Sequence, residues 1–269
     1  MEIDAYLSEK NKRRKKKRAI GRIVLVFIAL YAVLTAAGWT ILRAPVFAAR
    51  NIVVRGNDAV ASGDVVALLQ SSALRDHNFI KSVLTFRNMF VWPSGLSARD
   101  LAFAPELAAV SVRKDYWSHT VTADVTERKP FAIWCAMPSG DQKCYWFDDT
   151  GIIFKKAFDT QGSLVLAIHD YSQSDLGLGK PVLPDLFVGN LISIVNVLKA
   201  GGIDAKEVAL KDIGLQEIDV TTYDGPDLYF SLRFPADNDL AVLQSLMAKP
   251  TFKDLQYVDF RVENRAYYK

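Results

Sequence analysis

Twenty consecutive residues, Ile23–Leu42, carry no charge, and no other feature constrains this chain so tightly. A helix of that length rises about 30 Å, the thickness of a bilayer's hydrocarbon core, so the run predicts one membrane-spanning helix. Nine lysines and arginines lie between Lys10 and Arg22, whereas only Arg43 and Arg50 stand close beyond the run. The positive-inside bias then makes residues 1–22 a cytoplasmic basic tail, 23–42 the span, and 43–269 an extracytoplasmic part of a single-pass protein. Trp39 falls near the outer end, where an indole prefers the interface. A secretory signal peptide cut after Ala37 is the competing reading, although such apolar regions usually run only about 7–15 residues. An anionic leaflet accounts for the polybasic run without nucleic acid.

The formal net charge of +3 conceals an asymmetry. The first 22 residues carry +6, which leaves 24 basic and 27 acidic residues for the rest. That body is mildly acidic and offers no basic stripe, which argues against nucleic-acid binding. With 269 residues, half of them apolar, the chain can bury a substantial core and is not a disordered segment.

Cys135 and Cys144 both lie in the exported part. A hairpin loop at Ser139-Gly140 would make them a non-hydrogen-bonded cross-strand pair, close enough for a disulfide in an oxidising exterior. The alternative is two independent small hydrophobes. Neither reading supplies a metal site, because two cysteines without nearby histidine cannot complete four ligands.

Past the connector Arg43-Ala44-Pro45, Asn51–Arg55 reads as a strand ended by Gly56-Asn57. Ser62 is expected to cap a helix through Val65, Val66, Leu68 and Leu69, and Ser97 with Asp100 a second helix that stops near Pro105. Strands at Ala109–Arg113 and Thr120–Thr126 complete a βααββ order. Between the helices, Phe79, Val83, Phe86 and Phe90 recur at helical spacing, either as core or as an amphipathic surface on the nearby membrane.

After Glu127-Arg128-Lys129-Pro130 the pattern is mainly β. Strands are expected at Phe131–Cys135, Lys143–Phe147, Gly151–Lys155, Leu164–Ile168, Ala205–Lys211, Leu215–Tyr223 and Asp227–Phe234, with a strand or strand pair over Gln256–Tyr268. Helices are expected at Leu186–Ala200, ended by Gly201-Gly202, and at Asp239–Ala248, stopped by Pro250.

The residues suggest no enzyme and no cofactor. His77, His119 and His169 stand outside any catalytic or metal-binding spacing. Gly177-Leu178-Gly179-Lys180 lacks the residues a phosphate loop needs at positions 174 and 181. Asp149-Thr150-Gly151 resembles an aspartic-protease loop, but that chemistry needs a second carboxylate, and the stretch also suits a turn between strands.

The order of basic tail, single anchor, βααββ module and β-rich domain resembles the FtsQ/DivIB family of bacterial division proteins. The matching motifs are Ile52-Val53-Val54-Arg55-Gly56-Asn57, Val110-Ser111-Val112-Arg113-Lys114, Val121–Val125 with Glu127-Arg128-Lys129-Pro130-Phe131-Ala132-Ile133-Trp134, and the ending Tyr257–Lys269. The chain departs from the family at Asp115-Tyr116-Trp117-Ser118-His119, where Trp-Pro is usual, and in the longer, more aromatic stretch 79–96. The resemblance implies an α+β fold: a POTRA domain over 46–127 and a β domain with flanking helices over 128–269. It also implies a non-enzymatic scaffold at the septum in the inner membrane, binding FtsB/DivIC- and FtsL-like bitopic partners to support septal peptidoglycan synthesis.

Carried over residue by residue, the partner site is Val262, Glu263, Asn264, Arg265, Ala266, Tyr267 and Tyr268. The residues point the same way. Val258, Phe260 and Val262 alternate with Asp259, Arg261 and Glu263, which describes a half-buried strand able to lie at a sheet edge and accept an added strand. The competing reading has Val262 and the tyrosines closing the core. A different function also fits the domain order: an envelope POTRA protein that recruits or chaperones another export or assembly machine.

Overall fold

A computed structural model of the chain describes residues 2–42, 44–75, 84, 86–137, 142–157, 165–172 and 176–269. Glu2–Leu42 is one continuous helix, α1, and its stretch Ile20–Thr40 is long and apolar enough to cross a bilayer. None of that stretch is buried against the rest of the chain. It fits a membrane-spanning or signal segment and supports association with a membrane.

A mixed α/β arrangement follows, in two compact units. One unit holds Met1–Val53, Ala73–Pro93 and Val112–Ala123; the other holds Val54–Ser72, Ser94–Ser111 and Asp124–Lys269. Strands β1 (Asn51–Arg55), β2 (Leu107–Asp115) and β3 (Thr120–Glu127) form a three-stranded sheet in the order β1-β3-β2.

In the first unit, Pro45–Phe47 and Met89–Val91 are 3-10 turns, and Met89, Val91 and Trp92 are buried. Trp92 Nε1 donates to the Phe86 carbonyl at 3.0 Å, and the two rings meet edge to face at 6.1 Å. The helical stripe expected over 79–90 is therefore not continuous, because Phe90 sits in a 3-10 turn. Phe79 and Val83 lie outside the described residues.

The helix α2 (Ser62–Arg75), whose residues up to Ser72 belong to the second unit, buries Val65 and Leu69. Ser62 does not cap it: the first turn closes on the Ala61 carbonyl, which accepts from the Asp64 and Val65 N–H groups. The Ser62 hydroxyl instead accepts from Asn57 Nδ2 at 3.1 Å. The α3 helix (Ala98–Leu101) does have the expected reciprocal cap between Ser97 and Asp100. Gly56 has φ 80°, and a Cβ there would run into the Val125 carbonyl oxygen, so the turn after β1 requires glycine.

The Glu127-Arg128 motif has two structural tasks. The Glu127 carboxylate accepts the N–H groups of Asp58, Ala59 and Val60 at 2.9–3.1 Å, which organises the loop into α2. Arg128 donates from Nε to the Pro105 carbonyl at 3.1 Å and from Nη1 to Asp148 at 2.5 Å. Burial pushes the Asp148 carboxyl up, but hydrogen bonds from the Thr150 hydroxyl, the Ile152 N–H and Arg128 outweigh it and hold it below the usual range. Asp149-Thr150-Gly151 thus belongs to a turn in which Asp148 accepts from both the Thr150 N–H and its hydroxyl.

The large sheet has nine strands in the order β12-β11-β10-β9-β8-β7-β4-β5-β6. They are β4 (Ala132–Ala136), β5 (Lys143–Phe147), β6 (Ile153–Lys156), β7 (Ala167–Asp170), β8 (Ala205–Leu210) and β9 (Glu217–Thr222), then β10 (Asp227–Ser231), β11 (Tyr257–Val262) and β12 (Arg265–Tyr268). Helices α4 (Asp185–Gly201) and α5 (Asp239–Met247) cover one face, where Leu191, Ile194, Val195, Leu198 and Leu243 join a core with Trp134, Phe147, Val220, Phe230 and Phe260. Gly202 ends α4 in the left-handed conformation, as the Gly-Gly pair predicts.

Alternation turns Ile133 and Cys135 to the opposite face, where they form a small cluster with Cys144 and Trp146. Cys135 and Cys144 stand directly opposite in the β4–β5 pair and are joined by a disulfide, with Cα atoms 4.0 Å apart. The loop expected at Ser139-Gly140 lies outside the described residues.

Closing so short a loop restricts the unfolded chain, so reduction is expected to lower stability by about 2–3 kcal/mol. Thermal melting of the full chain in detergent, with and without reductant, measures this; an unchanged midpoint contradicts it. A second expectation concerns Asp239, whose carboxyl is raised to about 6 by burial and then by the Asp237 charge. Because the folded value lies above the unfolded one, this group's contribution to stability is complete below about pH 4 and is lost as pH rises through the folded value. Asp239→Asn is expected to flatten that part of the pH–stability profile and to stabilise the chain at pH 7 by on the order of 1–2 kcal/mol.

Candidate functional site

The sequence over Tyr257–Tyr268 forms two strands, because Glu263 and Asn264 turn the chain and Asn264 adopts the left-handed φ of 57° that asparagine tolerates. β11 lies parallel to β10, with Leu228 opposite Val258 and Tyr229 opposite Asp259. β12 returns antiparallel, with Val258 opposite Tyr268, Asp259 opposite Tyr267, and Val262 opposite Arg265.

The inner face of β11 is fixed by packing. Val258 and Phe260 are fully buried, and the Phe260 ring stacks on Phe230 with centroids 5.2 Å apart. The outer face is fixed by charge. Arg261 donates to Asp259 at 2.7 and 2.9 Å and to Glu217 at 3.0 Å, and its guanidinium lies 5.0 Å from the Tyr229 ring centre. Arg261 holds the Asp259 carboxyl below its ordinary value against the opposing effect of burial. Such a planar, multiply bonded arginine pins neighbouring strands more firmly than a lone surface pair does.

The register shifts between Asp259 and Val262, so β11 carries one residue more than β12 over that interval. The Arg261 N–H donates to Asp259 Oδ1 at 2.9 Å within this bulge. Directly opposed residues share a face, and Arg265 alternates with Ala266, which packs on the core. Val262 therefore departs from the face of Val258 and Phe260, contrary to simple alternation. It is 46% exposed, and Tyr267 and Tyr268 are 49% and 53% exposed. These three residues do not close the core.

All seven residues expected to bind a partner, Val262, Glu263, Asn264, Arg265, Ala266, Tyr267 and Tyr268, lie at the end of β11, in the turn, or in β12. β12 stands last in the sheet, and among the described residues no strand pairs with its other side. Lys269 directs its N–H and C=O toward β11, where they meet Tyr257 and Gln256. Alternation then turns the N–H and C=O groups of Ala266 and Tyr268 toward the open margin. Tyr267 shares the outer face with Asp259 and Tyr268 the inner face with Val258, so one aromatic ring flanks each side of that margin. The Lys249 ammonium lies 5.5 Å from the Tyr268 ring centre.

Sequence patterning did not single out Glu217 or Lys249, which come to this edge from distant parts of the chain. Among the described residues no group of three or more His, Cys, Asp or Glu could hold a metal ion. His119 and His169 have a buried Nδ1 without a hydrogen-bond partner, and His77 lies outside the described residues. Compared with family models and with curated proteins, the chain matches none.

The margin and the core beneath it separate by mutation. Phe260→Ala removes a buried ring and is expected to cost about 3–5 kcal/mol, whereas Tyr267→Lys changes a half-exposed site and is expected to cost less than about 1 kcal/mol. Chemical denaturation of the two variants beside the parent measures the contrast. Comparable losses would mean that Tyr267 supports the core.

Proposed function

We propose that the chain is a non-enzymatic, single-pass membrane scaffold of the FtsQ/DivIB kind. In this reading α1 is an uncleaved anchor with its basic end in the cytoplasm, and the remainder stands outside the cytoplasmic membrane at the division septum. Its partners are FtsB/DivIC- and FtsL-like bitopic proteins, and its role is to help bring the septal peptidoglycan synthesis machinery together. The observation that carries the reading is the unpaired margin of β12, which combines free backbone groups at Ala266 and Tyr268 with exposed side chains at Val262, Tyr267 and Tyr268.

An extended partner segment would add a tenth strand. Ladder hydrogen bonds supply affinity irrespective of sequence, and the two tyrosines flanking the margin supply selection. The Arg261–Asp259–Glu217 lattice supports this arrangement, because it holds β11 in place behind β12 without occupying the margin.

Ala266→Pro tests the backbone part. Proline deletes the N–H that faces outward and leaves the β11–β12 ladder its donors, a position where edge strands accept proline. Loss of at least about tenfold in affinity for an FtsB-like partner is expected, with the melting midpoint retained. Val262→Lys and Tyr267→Lys are expected to weaken binding similarly. Undiminished partner affinity in all three folded variants would rule out this margin as the docking site.

A further inference from the structure

Trp117 is 96% exposed, an extreme value for the largest apolar side chain in the chain. It occupies the tip of the β2–β3 hairpin, and the tip is well ordered by its own hydrogen bonds. Asp115 Oδ1 accepts the Trp117 N–H at 2.9 Å and the Ser118 N–H at 3.3 Å, and His119 takes the left-handed φ of 54°. The Asp115 charge is therefore engaged by the tip's own amides.

The hairpin tip belongs to the same compact unit as α1 and the residues that follow it. The Arg50 and Asn51 N–H groups donate to the His119 carbonyl at 2.9 and 3.2 Å. The Phe47 ring meets Phe90 with centroids 4.7 Å apart and Tyr116 at 5.8 Å, and Phe90 and Tyr116 lie 6.2 Å apart. Trp117 thus extends from a small aromatic cluster whose margin also exposes Val46 and Phe90.

Chain length places this cluster near the bilayer. α1 ends at Leu42 and the 3-10 turn begins at Pro45, so three residue steps, at most about 11 Å, separate them. The interfacial layer on each side of a bilayer is itself about 5–8 Å deep, and it is the layer in which tryptophan and tyrosine concentrate. Arg50 is exposed on the segment bonded to the hairpin, and its guanidinium is a cation suited to lipid phosphates.

We propose that the β2–β3 hairpin tip is a membrane-interface foot: Trp117 inserts its indole among the lipid headgroups and holds the first unit against the outer leaflet. The occupant of this apolar surface is the bilayer that α1 crosses. The inference rests on the reading of α1 as an uncleaved anchor, and it adds a second, side-chain contact with the same membrane.

Tryptophan quenching in vesicles tests it. The full chain is reconstituted into phosphatidylethanolamine–phosphatidylglycerol vesicles, with or without bromine atoms on the headgroup-proximal part of the acyl chains. Subtracting the emission of Trp117→Phe from the parent isolates Trp117 among the five tryptophans. Because Trp117 makes no buried contact, the variant is expected to fold. Its difference emission is expected to lose most of its intensity in brominated vesicles. Trp39→Phe isolates the indole at the end of α1 in the same way, and an alkaline carbonate wash reports whether the chain is anchored. If Trp39 is quenched and the chain resists the wash while Trp117 emission is unchanged, the foot is overturned and the anchor stands, whether Trp117 then faces water or a partner protein. If the wash releases the chain, the anchor is overturned and the foot with it.

Discussion

The parallel pairing of β11 with β10 decides where the margin lies. A parallel neighbour cannot be reached by a tight turn, so the chain leaves β10, builds α5 and the 3-10 turn Pro250–Asp254 across the covered face, and returns in the same direction. Phe260 stacked on Phe230 anchors that return. One side of β11 is then taken by β10. The two-residue turn at Glu263-Asn264 forces β12 antiparallel onto the only side left, which is the edge of the sheet. Loss of the β10–β11 pair would remove the margin altogether, whatever the side chains of β12.

The two faces of the sheet are held by different forces. The helix-covered face is apolar and close-packed from Trp134 to Phe260, and non-directional burial is sufficient there. On the other face directional bonds add to a small apolar cluster: the Cys135–Cys144 disulfide lies among the strands toward one end of the sheet and the Arg261 lattice toward the other. Arg261 is well suited to this role because a guanidinium can engage Asp259 and Glu217 while lying over the Tyr229 ring, which a lysine could not do. Elsewhere in the second unit Glu127 satisfies main-chain N–H groups, and Arg128 bonds both a main-chain carbonyl and the Asp148 carboxylate.

Much of this was legible beforehand. The strands at 51–55 and 143–147, the Ser97–Asp100 cap and the Gly202 stop follow from local rules, and the structure has them where those rules place them. Local rules failed where long-range contacts competed. Ser62 reads as a cap, yet the loop before α2 is organised by Glu127, 65 residues later, and the hydroxyl is diverted to Asn57. Val262 reads as an inward residue by alternation. The bulge within β11 cancels that alternation, and its only local sign is an Asp-x-Arg pair that a flat strand would carry equally well.

The sequence alone determined the apolar run suited to a membrane, the concentration of positive charge before it, most element positions, and the alternation over 258–263 that marks a half-buried strand near the end. Periodicity and charge are properties of neighbours along the chain, so they can be read without coordinates. Strand order cannot, because it depends on which distant segments meet. The tertiary structure therefore decided that β12 is an edge, that Ala266 and Tyr268 turn their amide groups outward, that Glu217 braces the strand behind them, and that Trp117 projects from a hairpin tied to the residues following α1.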